Sequence, residues 1–130
     1  MDKIIIEDTE DSFETEKSEL ITSGDYNEND IFYLFNGSMC HTKTDFFHHF
    51  AKLMHFPDHF SDNWDSFIDC FHDGIFVPEK NILVYIENMT ELLEDDKKGL
   101  YFFYDLLYGL KNNAIDSLVT ILFNFEERQL

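Results

Sequence analysis

A chain of 130 residues and 15.5 kDa holds one compact domain and is too short for two. Its net charge of −18, from 27 acidic and 9 basic residues, repels phosphate, which disfavours direct binding to nucleic acid or anionic membranes and favours a basic partner drawn in at long range. Hydrophobic residues make up 44% of the chain, with 15 Phe, so a disordered polymer is excluded; two cysteines thirty positions apart, Cys40 and Cys70, exclude a disulfide scaffold and fit a reducing compartment.

The opening segment MDKIIIEDTEDSFE has an apolar run of three residues before charges resume. Neither a secretion signal nor a membrane span is expected there, and the protein reads as cytoplasmic. Residues 1–30 carry eleven of the 27 acids and two lysines. They read as an acidic N-terminal extension, with a short edge strand at Ile4 to Ile6 and turn chemistry in SGDYNEND, Ser23 to Asp30. The folded domain is expected over residues 31–130.

The run IFYLFNG, Ile31 to Gly37, is β-branched and aromatic and ends on an Asn-Gly turn signal, which predicts a strand buried on both faces. Thr42 or Thr44 then caps a helix in which Phe46, Phe47, Phe50, Leu53 and Met54 recur at helical spacing, and Pro57 stops it. A second helix is expected from near Asp62 to about His72, with Gly74 as its terminator. Asn81 to Met89 predicts another buried strand, Asp95 to Asn112 a longer helix, and Ser117 to Phe125 a final strand. Strand, helix, helix, strand, helix, strand is the order of an α/β fold: a three-stranded parallel sheet packed by three or more helices.

The second helix carries the chemistry. At about 100° per residue, and counting from Asp65, Asp69 falls at about 40°, Asp62 at about 60° and Asp73 at about 80°. Ile68, Trp64, Phe71 and Phe67 fall between about −60° and −160°. One face is therefore core and the other a ridge of carboxylates, with no lysine or arginine from Asp58 to Asp73. Like charges at this spacing destabilise a helix by about 0.2–0.5 kcal/mol per pair, and interspersed lysines would relieve it. Two readings stay open on the residues alone: a solvated face of an acidic protein, or a docking ridge for Arg, Lys or protonated His.

The stretch PDHFSDNWDSFIDCF, Pro57 to Phe71, resembles the barstar family, the intracellular inhibitors of secreted bacterial ribonucleases. Pro57, Phe60, Asn63, Trp64, Asp65, Ser66, Phe67 and Asp69 occupy the pattern's proline, aromatic, Asn, apolar, Asp, small, large apolar and acidic places. The element order over residues 31 to 124 also follows the barstar plan. The resemblance implies a barstar-like fold in which this helix plugs a ribonuclease active site, its acids standing where RNA phosphates bind. Carried over by position, Asp65 and Asp69 meet the partner's catalytic Arg and His side chains. Asn63, Trp64 and the loop His59, Ser61 and Asp62 form the contact edge, and Asp73 extends the ridge. His59 stands where the family has Tyr, Ser61 where it has Gly, and Gly109 where it has a contacting Glu. The implied role is an immunity protein, an antitoxin for a cognate ribonuclease toxin.

Three other readings compete with this one. Six histidines, His41, His48, His49, His55, His59 and His72, with Cys40 and Cys70 offer zinc ligands. Pro57 breaks the helix that His55 and His59 would share, and no CxxC or HExxH occurs, so no metal and no cofactor are expected. Exposed carboxylates without a nucleophile motif or P-loop argue against an enzyme. An acidic phosphate mimic that blocks another basic nucleic-acid-binding protein is the alternative composition does not separate from the immunity reading. Trp64 and Phe60 are expected in the core; the alternative reading puts one of them at the rim as an interface anchor.

Overall fold

The computed structural model describes residues 3–126. Four parallel strands form one sheet in the order β1-β4-β3-β2: β1 Ile4–Asp8, β2 Ile31–Asn36, β3 Ile82–Glu87 and β4 Val119–Phe123. Four helices join them: α1 Phe13–Thr22, α2 Lys43–Met54, α3 Trp64–Ile75 and α4 Lys97–Gly109. The α/β class and the parallel sheet are as expected from the sequence, with four strands in place of three.

The extra strand comes from the N-terminal segment. Ile4 pairs with Val119 and Asp8 with Phe123, so the short edge strand expected at Ile4 to Ile6 runs on through Glu7 and Asp8. At a sheet edge the backbone is paired on one side while acidic side chains stay in water, and charge there also blocks further edge pairing. The two central strands, β3 and β4, are buried along nearly their whole length, as runs covered on both faces of a parallel sheet require.

The larger layer packs α2, α3 and α4 onto one face. Its centre is phenylalanine: Phe35 stacks on Phe50 with centroids 3.9 Å apart, and Phe46, Phe67, Phe71 and Phe103 close around them, each fully buried. The second face is covered by the N-terminal segment. Phe13, Leu20 and Ile21 of α1 pack with Tyr26 against Leu83, Tyr85 and Leu122. The Tyr26 hydroxyl donates to the Ile82 carbonyl at 2.9 Å and lies 2.8 Å from Thr120 Oγ1. Burial pushes its pKa up to about 12. The Tyr85 hydroxyl donates to the Asp11 carbonyl at 2.6 Å and accepts from Asn124 Nδ2 at 2.7 Å.

Helix boundaries differ from the sequence expectation in instructive places. Thr42 caps α2, its hydroxyl accepting from Asp45 N at 3.1 Å. The helix ends at Met54 because His55 turns left-handed (φ 54°), and Phe56 precedes a proline, which disfavours helical geometry. α3 begins at Trp64 and not near Asp62, because Asn63 caps it. It also runs through Gly74 to Ile75. Gly74 lies inside the helix, not past its end, and the atom a Cβ there would meet is the movable methyl end of Met54. The longer helix starts at Lys97, capped by Asp96, and its expected last turn is the tighter 3-10 turn Leu110–Asn112.

Candidate docking site on the third helix

α3 turns one face to the core and another to solvent, with Trp64, Ser66, Gly74 and Ile68, the last expected on the core face, half-buried between them. Phe67, Phe71 and Ile75 are buried in the core, Cys70 is also buried, and Asp65, Asp69 and Asp73 are exposed. Four residues at about 1.5 Å each separate successive carboxylates, so the ridge is about 12 Å long. Asp65 sits in the first turn, where the helix dipole favours a negative charge; Asp73 sits in the last, where it does not. Histidine makes close ion pairs with acids at three places: His41 with Glu91 and with Glu94, and His48 with Asp62.

The residues before the helix are ordered by their own backbone. Phe60 N donates to the Pro57 carbonyl at 2.9 Å and Asn63 N to the Ser61 carbonyl at 2.7 Å. Asn63 spends its side-chain oxygen on the helix cap, accepting from Ser66 N at 2.9 Å, while Ser61 N donates to Ser66 Oγ at 3.1 Å. Asp62, placed by helical spacing on the ridge, lies outside the helix, and its Oδ2 is 2.8 Å from His48 Nε2 on α2. His59 and Ser61 are exposed in the same loop. Trp64 is half-buried, with Phe46, Phe47 and Phe67 on its inner side.

One neighbour of this site escaped the sequence reading. Phe102 of α4 is 40% exposed, and its ring lies 4.8 Å from that of Trp64 at an interplanar angle of 50°. Helical spacing carried the signal: with Phe103 and Leu107 buried, Phe102 lies about 100° off the core direction, on a flank of α4. Gly109 is exposed, and a Cβ built there meets nothing within 4 Å.

The histidines and cysteines are spread over separate environments. His41 lies 3.2 Å from Glu91 and 3.7 Å from Glu94. His49 Nε2 accepts from Asn36 N at 3.0 Å, and burial, aided by Lys52, lowers its pKa, so it serves the end of β2 as a neutral acceptor. Burial pushes the Cys40 thiol up to about 12, with Asp45 adding to it. Burial, then Asp73 and Asp69, raises the Cys70 thiol; neither thiol is set up as a nucleophile. Among the described residues, the group whose side chains converge closely enough for a cation is Asp11, ahead of α1, with Glu16 and Glu19 on α1, where burial, then Asp11 and Glu19, raises the Glu16 pKa. Cavities of about 400 and 420 Å³ lie elsewhere, the first along Glu10, Phe13, Leu34 and Tyr85, the second along Phe76, Pro78 and Ile115. Neither contains a ridge residue. Among the described residues no helix is long and apolar enough to cross a membrane.

The site is thus an acidic ridge with a half-buried aromatic at its start. Comparison with curated protein sequences gave no match. The family profile described as Barstar (barnase inhibitor) matches residues 31–126, from the first residue of β2 past the end of β4, with all of α3 inside.

Proposed function

The chain belongs to the barstar family, and we propose that it is an immunity protein, an antitoxin that binds a cognate bacterial ribonuclease toxin and occludes its active site with α3. The observation that carries the reading is the run of exposed carboxylates Asp65, Asp69 and Asp73 on a helix whose other face is core, inside a chain matched to a family of ribonuclease inhibitors. A ribonuclease must concentrate positive charge where RNA phosphates bind. A rigid ridge of carboxylates at helical spacing presents negative charge to that cleft without a cleavable bond. Asp65 and Asp69 face the toxin's catalytic cations. His59, Ser61, Asp62 and Asn63 form the loop edge of the contact, with Trp64 half-buried beside them as an anchor.

A net charge of −18 speeds encounter with a basic toxin and orients it before contact. The protein acts by binding and not by catalysis, and it works in the cytoplasm, where the RNA to be protected lies. Residues 1–30 are an acidic addition to the matched unit, contributing β1 and α1 to its sheet and second face. The test is RNA degradation by the toxin-like product of the neighbouring gene, in the presence of wild type or of the Asp65→Ala/Asp69→Ala double variant. Protection by wild type and its loss in the double variant is the expected result. No protection by wild type sinks the immunity role and leaves an acidic phosphate mimic for a different basic nucleic-acid-binding partner.

A further inference from the structure

We infer that His48 on α2 is a positioning residue for the docking site: it fixes the Asp62 carboxylate, and with it the loop before α3, where the basic partner meets them. The inference deepens the docking reading above and rests on it.

Two neighbouring residues of α2 grip the connection to α3. From within, the Phe47 ring lies 6.1 Å from that of Phe60, which also packs 5.0 Å from Phe56. From without, His48 Nε2 lies 2.8 Å from Asp62 Oδ2. An ionised carboxylate only accepts, so Nε2 is the donor. The His48 and Asp62 side chains keep 62% and 47% of their surface in water, so the contact, and not burial, sets where Asp62 points.

An exposed pair of this kind adds little to the stability of a fold. Its effect falls on binding. Asp62 stands between Ser61, whose N–H donates to Ser66 Oγ, and the cap residue Asn63. A carboxylate already held there does not have to be immobilised when the partner arrives, and that ordering cost is spared. The kind of holder matters as well. Lysine or arginine in the place of His48 would bring a permanent charge that cancels the carboxylate, whereas an imidazole N–H donates whether or not its ring is charged. One donated N–H leaves a carboxylate with further lone pairs for a cation of the partner.

The experiment uses the full chain. Hydrogen exchange in the free protein is read by NMR at the amides of Phe60, Ser61 and Asn63, which donate to the Pro57 carbonyl, Ser66 Oγ and the Ser61 carbonyl. His48→Ala should speed exchange there about threefold to fivefold and leave the interior of α3 unchanged, and His48→Gln, which keeps a side-chain N–H, should stay within about twofold of wild type. Equal loop exchange in wild type and His48→Ala overturns the inference. In an inhibition titration of the toxin-like product of the neighbouring gene, His48→Ala should cost about fivefold in the wild-type background and less than about twofold in an Asp62→Ala background, because His48 acts through Asp62. An equal loss in both backgrounds makes His48 a direct contact and overturns the positioning role. The two ideas fail separately. Inhibition by wild type with loop exchange unmoved by His48→Ala removes the clasp alone; a loosened loop in His48→Ala without any inhibition by wild type removes the immunity role and leaves the clasp serving another basic partner.

Discussion

Asp69→Ala separates a surface built for binding from one built for stability, and its two effects have opposite signs. Asp69 is exposed and sits at i+4 from Asp65 and i−4 from Asp73. Removing it relieves two like-charge pairs, together about 0.4–1 kcal/mol at low salt. Alanine also exceeds aspartate in helix propensity by roughly 0.5 kcal/mol. The side chain fills no core volume and caps no helix end, so nothing comparable is lost. Asp65 is the less clean choice because its place in the first turn earns a favourable interaction with the dipole. The variant should therefore be about 1 kcal/mol more stable, a rise in Tm of roughly 3–5 °C for a domain of this size. Added salt should shrink the repulsive part of that gain. Affinity for the ribonuclease should fall by more than about 2 kcal/mol, roughly thirtyfold, if the residue is an interface hot spot. Calorimetric melting at two salt concentrations and a toxin-inhibition titration measure both halves. A variant that melts below wild type, or one that inhibits as wild type does, refutes the reasoning.

Asn63→Ala should cost about 1 kcal/mol in a denaturant titration through loss of the α3 cap to Ser66 N; unchanged stability would mean the cap contributes nothing. Tyr26 contributes pH-dependent stability: because its hydroxyl pKa is raised from 10.0 to about 12, the contribution is complete below about pH 10 and is lost as pH rises to about 12. Tyr26→Phe should remove that part of the alkaline decline, roughly 2–3 kcal/mol in chemical unfolding at pH 9 against pH 12; an identical decline in both proteins would contradict it. Deleting residues 1–30 uncovers Leu83, Tyr85 and Leu122 and strips β4 of its edge partner. The truncated chain should lose its cooperative melting transition and bind a hydrophobic dye, and a melt matching the full chain would count against this.

Local pattern was a good guide where the determining contacts are local. The run Ile31 to Asn36 and the apolar stretch from Ile82 read as strands because each is an unbroken hydrophobic segment of strand length. The pattern failed at Gly74, read as a terminator, because a glycine close to a helix end does not by itself mark the last residue, and α3 runs one residue further to Ile75. It also placed Asp62 on the ridge, because an angle around a helix axis says nothing of whether the helix has begun. Asn63 closing the cap settles that, and Asp62 turns to His48 on another helix.

By itself the sequence determined the net charge, the strands and helices from Ile31 onward, and the division of α3 into a core face and an acidic face; the helix α1, Phe13–Thr22, was not read from the acidic front of the chain. Each feature so determined follows from composition or from the spacing of residues within one turn or one strand. Tertiary structure alone decided that the acidic N-terminal segment joins the sheet, since Ile4 meets Val119 across nearly the full chain. It alone set Phe102 against Trp64. Contacts between distant segments depend on how whole layers pack, and no local period encodes them.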